Sequence, residues 1–85
     1  MAAIGTPRPA MTPHFGARLR AARRRRGISQ EQLGTDTGLH RTHISLLERG
    51  LREPSLDTLV LLSRGLRIPP ARMILWHKPR GHAAR

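Results

Sequence analysis

The chain has 85 residues, of which 38% are hydrophobic and two are aromatic, so it is long enough for one small domain with a mostly aliphatic core. Sixteen Lys and Arg residues against five Asp and Glu residues give a net charge of +11, which favours a polyanionic partner, nucleic acid ahead of an anionic membrane surface. The lack of cysteine excludes disulfides and thiolate metal sites, and the lack of any apolar run near the roughly 18 residues of a membrane span leads us to expect a soluble, cytoplasmic protein.

The N-terminal part of the chain predicts an arm followed by a first helix. Residues 1–13 contain three prolines and little periodicity, which indicates a flexible N-terminal arm. From His14 the apolar spacing becomes helical, with Phe15 and Leu19 on one stripe. Gly27 is a typical C-terminal stop, so helix one is expected to run from His14 almost to this glycine.

Two short helices with a tight turn between them are predicted next. Ser29 lies three residues before Gln32, a capping-box spacing that predicts the start of helix two, which should end at residue 36 or 37. Gly38 follows as a left-handed turn residue. Helical spacing then resumes over residues 39–47, which form helix three.

The C-terminal half of the chain predicts two more helices. Ser55 marks a helix entrance, and apolar residues recur at three- and four-residue steps until Gly65. Pro70 suits the first position of a short fifth helix, whereas residues 77–85 have the composition of a flexible tail. The sequence therefore predicts an all-α domain of five helices over residues 14–76.

The stretch QEQLGTDTGLHRTHISLL has the spacing of a helix-turn-helix motif, with Gly34 at the helix crossing, Gly38 in the turn, and Ile44 and Leu47 returning to the core. Together with its flanking segments it resembles the Cro/C1-type, or XRE-like, family of DNA-binding domains. Its third helix most resembles the controller proteins of restriction–modification systems. The resemblance implies a compact five-helix, lambda-repressor-like fold with disordered tails that binds double-stranded DNA and regulates transcription.

Helix three is expected to present its outer side to a major groove, because Ile44 and Leu47 turn inward. Arg41 and Thr42 lie at its start and are predicted to contact bases, Arg41 through the O6 and N7 atoms of guanine. Leu46 is a third candidate, against a thymine methyl group, although isolated exposed leucines are ordinary. The side chains predicted to contact the DNA backbone or to flank the groove are Gln30, His43, Ser45, Arg49 and Arg52.

Two further sets of residues have predicted structural roles. The family resemblance assigns Arg23 and Glu48 to a partly buried ion pair between helices one and three. A homodimer is expected, because one helix-turn-helix reads only a few base pairs. Met73, Ile74 and Trp76 offer an apolar patch for the dimer interface, and the alternative is that they close the core of the monomer.

Other site chemistries find little support in the sequence. His40 and His43 form an HxxH pair without a third ligand, and no Gly-rich phosphate loop, nucleophile elbow or acid pair is found, so we expect no metal, no cofactor and no enzyme activity. The leading hypothesis is a sequence-specific regulator that binds an inverted-repeat operator and acts by steric block or through RNA polymerase. The alternatives are the antitoxin of a toxin–antitoxin pair, which would contact a toxin, and a basic adaptor protein without sequence specificity.

Overall fold

The computed structural model describes residues 11–77, which form five α-helices and a closing 3₁₀ turn, with no strand. The helices are α1, Met11–Arg25; α2, Gln30–Thr37; α3, Arg41–Glu48; α4, Leu56–Leu66; and α5, Pro70–Ile74, followed by the 3₁₀ turn Leu75–His77. Over this range the predicted all-α class and the number of helices are confirmed. The remaining segments of the predicted flexible ends, residues 1–10 and 78–85, lie outside the described residues. Within residues 11–77 no helix is long and apolar enough to cross a membrane.

The first helix is longer than predicted. α1 begins at Met11, three residues before the predicted start at His14, so residues 11–13 belong to the helix rather than to the arm. Pro13 is compatible with this start because it lies in the first turn, where backbone N–H groups have no helical acceptor. Gly27 ends the segment in the left-handed conformation with a φ of 72°, as predicted.

The end of α4 also differs from the prediction. Gly65 continues the helix instead of ending it, and α4 stops at Leu66. The left-handed residue is Arg67, with a φ of 59°. Gly65 is needed for a different reason, because a Cβ atom there would lie only 2.5 Å from Cγ2 of Thr37 on α2.

All five helices contribute to one core. α1 packs against α3 and the 3₁₀ turn, α2 packs against α3 and α4, and α5 packs on α4. The largest fully buried side chains are Phe15, Leu19, Leu33, Ile44, Leu47, Leu62 and Met73. The core therefore holds α3 from its inner side and leaves its outer side to solvent.

The apolar residues near the C-terminus divide between core and surface. Met73 is fully buried and Trp76 is 7% exposed, with its ring tilted against Phe15 at 5.6 Å between centroids. These two side chains close the core of the monomer, which is the alternative given for them above, and they offer a partner little exposed surface. Ile74 and Leu75 remain on the surface, 43% and 56% exposed.

A close backbone contact positions α3 against α1. A Cβ atom at Gly16 would lie 2.6 Å from the carbonyl oxygen of Glu48 and would also overlap the carbonyl oxygen of Leu47. Such distances are well inside ordinary van der Waals contact, so only glycine permits this approach. The sequence did not indicate this role for Gly16.

Candidate nucleic-acid interface

The start of α2 is fixed by a side-chain cap. Ser29 Oγ accepts a hydrogen bond from the backbone N–H of Gln32 at 2.9 Å, as predicted. The reciprocal hydrogen bond of a capping box, from the backbone N–H of Ser29 to Oε1 of Gln32, is not formed, and Nε2 of Gln32 donates to Oδ1 of Asp36 at 2.8 Å. The single cap still satisfies one of the four backbone donors that a helix start leaves open.

The turn between α2 and α3 depends on two glycines. Gly38 has a φ of 83°, and its backbone N–H donates to the carbonyl of Gly34 at 2.8 Å. A Cβ atom at Gly34 would lie 2.7 Å from the carbonyl oxygen of Leu39. Both glycines have the roles predicted for them, and Gly34 is required by the close approach of the following chain.

Thr37 reinforces the same turn. Its buried hydroxyl donates to the carbonyl of Leu33 at 2.7 Å and accepts from the backbone N–H of Leu39 at 3.2 Å. The threonine thereby satisfies a backbone donor in the turn that an aliphatic side chain would leave open. Its methyl group meanwhile lies against Gly65.

His40 caps the N-terminus of α3. Its Nδ1 atom accepts a hydrogen bond from the backbone N–H of Thr42 at 3.0 Å. A ring whose Nδ1 accepts carries its proton on Nε2, which assigns the tautomer of this histidine. From its sequence context His40 was considered only as a metal ligand, and its role as a cap was not predicted.

Replacing His40 by Ala is expected to lower the free energy of unfolding by about 1 kcal/mol, since α3 would lose its N-terminal cap. His40→Asn, which keeps a side-chain acceptor favoured at this position, should stay within about 0.5 kcal/mol of the wild type. Urea unfolding followed by circular dichroism measures both. Equal losses in the two variants would show that the cap is not the cause.

The two sides of α3 differ in exposure, as the helical spacing of its residues predicted. Ile44 and Leu47 are 0% exposed, whereas Arg41 and Thr42 are exposed at the start of the helix. Leu46, placed on the outer side by the sequence, is half-buried. α3 thus offers solvent a planar guanidinium and a hydroxyl beside the turn, both suited to the edges of bases.

The five side chains predicted to contact the DNA backbone or to flank its major groove differ in how exposed they are. Arg49 and Arg52 are exposed, and Gln30, His43 and Ser45 are half-buried. Nε2 of Gln30 donates to Oε1 of Glu48 at 3.1 Å. An amide group carries two N–H donors, so this bond leaves one for a phosphate oxygen.

The predicted ion pair between α1 and α3 is present. Nε of Arg23 donates to Oε2 of Glu48 at 2.6 Å, and Nη2 donates to Oε1 at 3.1 Å. Nη1 donates to the carbonyl of Ile28 at 2.9 Å. The hydrogen bond with Glu48 raises the pKa of Arg23, which already lies far above neutral, so the guanidinium keeps its charge.

His43 lies in a setting that disfavours its charged form. Partial burial lowers the pKa of His43, and the positive charge of Arg52 lowers it further. Because the unfolded-state pKa is about 6.5, the unfolded chain binds more protons just below this pH than the folded protein does. The stability that His43 contributes is therefore complete above about pH 6.5 and is lost as the pH falls through the folded-state pKa.

The wild type is expected to lose more unfolding free energy than His43→Gln between about pH 7.5 and about pH 5, because only the wild type must leave this group uncharged in the folded state. Urea titrations of both proteins at the two pH values measure the difference. Since the other histidines are common to both, a greater loss in the variant would contradict the assignment.

Comparison with known proteins agrees with this geometry. The family model described as Helix-turn-helix matches residues 19–73, which include α2, the turn and α3. The restriction–modification controller protein C.AhdI from Aeromonas hydrophila has a similar structure, with a TM-score of 0.71 and 39% identity over 73% of this chain and 94% of that one.

Two sequence relatives cover the same region. Control protein C.BamHI of Bacillus amyloliquefaciens is 42% identical over 57 residues, 66% of this chain and 70% of that protein. An uncharacterized helix-turn-helix-type transcriptional regulator, y4dL, of Sinorhizobium fredii is 46% identical over 55 residues, 65% of this chain and only 28% of that protein. The chain belongs to the helix-turn-helix family of the Cro/C1, or XRE, type.

Proposed function

We propose that this protein is a sequence-specific transcriptional regulator that binds an inverted-repeat DNA operator as a homodimer. The observation that carries this proposal is the division of α3 into a fully buried inner side, with Ile44 and Leu47, and an exposed start, with Arg41 and Thr42. In helix-turn-helix proteins the N-terminal residues of this helix contact base edges in the major groove. The similarity to controller proteins supports the same function.

Backbone contacts would set the orientation of the protein on the duplex. Gln30 at the start of α2 and Arg52 after α3 are our candidates for phosphate contacts, one on each side of the reading helix. The net charge of +11 supplies a general attraction to DNA that increases as salt decreases. This attraction carries no sequence information, which is why the proposal depends on α3.

We propose that two copies dimerise through the exposed surface where α5 meets the 3₁₀ turn. Ile74 and Leu75 are adjacent exposed apolar residues, and burying them between two copies would remove them from water. Two copies would place their α3 helices in successive major grooves, about 34–36 Å apart along the DNA.

Arg41→Ala should reduce discrimination at one base pair of each half-site by about 1–3 kcal/mol, because a bidentate contact with guanine would be lost. Arg52→Ala is the matched control, since loss of a phosphate contact should weaken binding to every sequence alike. Affinities for the selected site and for single-base variants, measured at one salt concentration, separate the two effects. Equal loss on all sequences for Arg41→Ala would favour the non-specific adaptor.

Selection of bound duplexes from a random pool tests the proposal as a whole. We expect a palindromic consensus whose half-sites are about 10–10.5 base pairs apart, which reports sequence specificity and dimer symmetry together. A pool without consensus after selection would contradict the regulator and favour a non-specific basic protein.

A further inference from the structure

A groove of about 500 Å³ runs along α1 on the side away from α3. The buried or half-buried apolar residues that line it, Ala22, Ile68 and Trp76, are called its floor, and the half-buried or exposed arginines Arg18, Arg25 and Arg72 are called its rim. The volume is typical of a binding cleft, and the combination of an apolar floor with a cationic rim differs from an ordinary basic surface.

The position of the groove follows from the helical repeat of α1. Gly16 and Arg23 face α3, through a backbone approach and an ion pair respectively. Arg18 and Arg25 each come two residues later, which rotates them by about 200° around the helix. A duplex seated on α3 would therefore lie on the opposite side of α1 from these arginines.

The charges on the groove rim are not neutralised within the described part of the chain. No hydrogen bond or ion pair joins the side chains of Arg18, Arg25 or Arg72 to any residue in 11–77. All five acidic residues of the sequence lie between positions 31 and 57, so α1 and the segment after α4 contain only basic charges. His14 also lines the groove.

We propose that this groove is a docking site for an acidic amphipathic segment of a partner protein, bound while α3 remains open to DNA. Carboxylates on one side of such a segment match the three arginines, and apolar side chains on its other side match the floor. Phosphates of DNA would match only the rim, and a second copy of this chain would bring a further net charge of +11. An acidic helix therefore satisfies both features of the groove.

The test uses a fluorescein-labelled helical peptide without Trp, with Leu at helical i, i+3, i+4 and i+7 positions and Glu at the others. Trp76 is the only tryptophan of the chain and lies at the groove, so its emission reports docking there and not on α3. We expect the peptide to bind and to change this emission. A peptide of the same composition without an apolar face, and one with Lys for Glu, should bind at least about tenfold more weakly.

Matched charge reversals locate the binding site on the protein. Arg18→Glu combined with Arg72→Glu should weaken peptide binding about tenfold or more, and Ala21→Glu, which places an acid in the groove, should act in the same direction. Arg20→Glu combined with Arg24→Glu changes the net charge equally on the exposed surface of α1 outside the groove, and should have an effect below about twofold.

Four results would overturn this docking site: no binding, equal binding of the peptide without an apolar face, equal loss in both double variants, or displacement of the peptide by duplex DNA. Apart from the displacement experiment, the peptide measurements are made without DNA, so they stand apart from the proposed regulatory function. A regulator with a confirmed operator but no peptide binding would retain the proposed function and lose only this groove.

Discussion

Replacing Glu48 by Ala should lower the free energy of unfolding by about 3–5 kcal/mol, since it leaves the guanidinium of Arg23 buried without a counter-charge. Glu48 is 7% exposed and accepts hydrogen bonds from two nitrogens of Arg23 and from the amide of Gln30. Domains of this size are stable by only about 5–15 kcal/mol, so the variant should be close to unfolding. Urea unfolding followed by circular dichroism measures the loss.

Two controls separate the buried pair from a general charge effect. Arg24→Ala removes an exposed arginine from the same helix and should change stability by less than about 0.5 kcal/mol. The double variant Arg23→Met with Glu48→Leu should recover most of the loss, because apolar side chains of similar volume can replace a buried ion pair. A loss below about 1 kcal/mol for Glu48→Ala would show a solvent-screened pair and contradict this account.

Gly16→Ala is expected to destabilise the fold by about 1–3 kcal/mol, in the opposite direction to the usual effect of this substitution inside a helix. At an open helical position Ala is favoured over Gly by about 0.5–1 kcal/mol. At Gly16 the new methyl group would overlap the carbonyl oxygens of Leu47 and Glu48, and backbone atoms cannot avoid it by changing rotamer. The same unfolding measurement gives the sign directly.

Ala17→Gly calibrates the helix preference one residue further along α1, where the side chain is exposed. It should cost about 0.5–1 kcal/mol, with no contribution from packing. An increase in stability for Gly16→Ala would mean that α1 and α3 are further apart than described. The backbone contact at Gly16 would then not position α3 against α1.

The elements with local sequence signals were predicted well. Ser29 marks the start of α2 through a side-chain cap, and Gly38 marks its end through a left-handed turn. Both features depend on the chemistry of a single residue. The inward direction of Ile44 and Leu47 follows from their helical spacing alone, and it fixes which side of α3 faces outward. The outward side of α3, which is the central part of the candidate site, could therefore be predicted from the sequence.

Features that depend on tertiary contacts were not predictable in the same way. In the sequence, Gly16 and Gly65 cannot be distinguished from other helical glycines. Each is nevertheless required, because residues distant along the chain leave no room for a Cβ atom there. Met73 and Trp76 could fill a core or an interface, because a short apolar helix gives no periodicity that distinguishes the two. The groove along α1 likewise appears only once the segment after α4 packs beside it.

The most direct test of the central claim is an NMR measurement of contacts between the isotope-labelled protein and a duplex chosen by pool selection. We expect intermolecular NOEs from the side chains of Arg41 and Thr42 to major-groove protons, namely cytosine H5 and thymine methyl groups, while Ile44 and Leu47 contact only protein. Base contacts from another helix, with none from Arg41 or Thr42, would contradict the account.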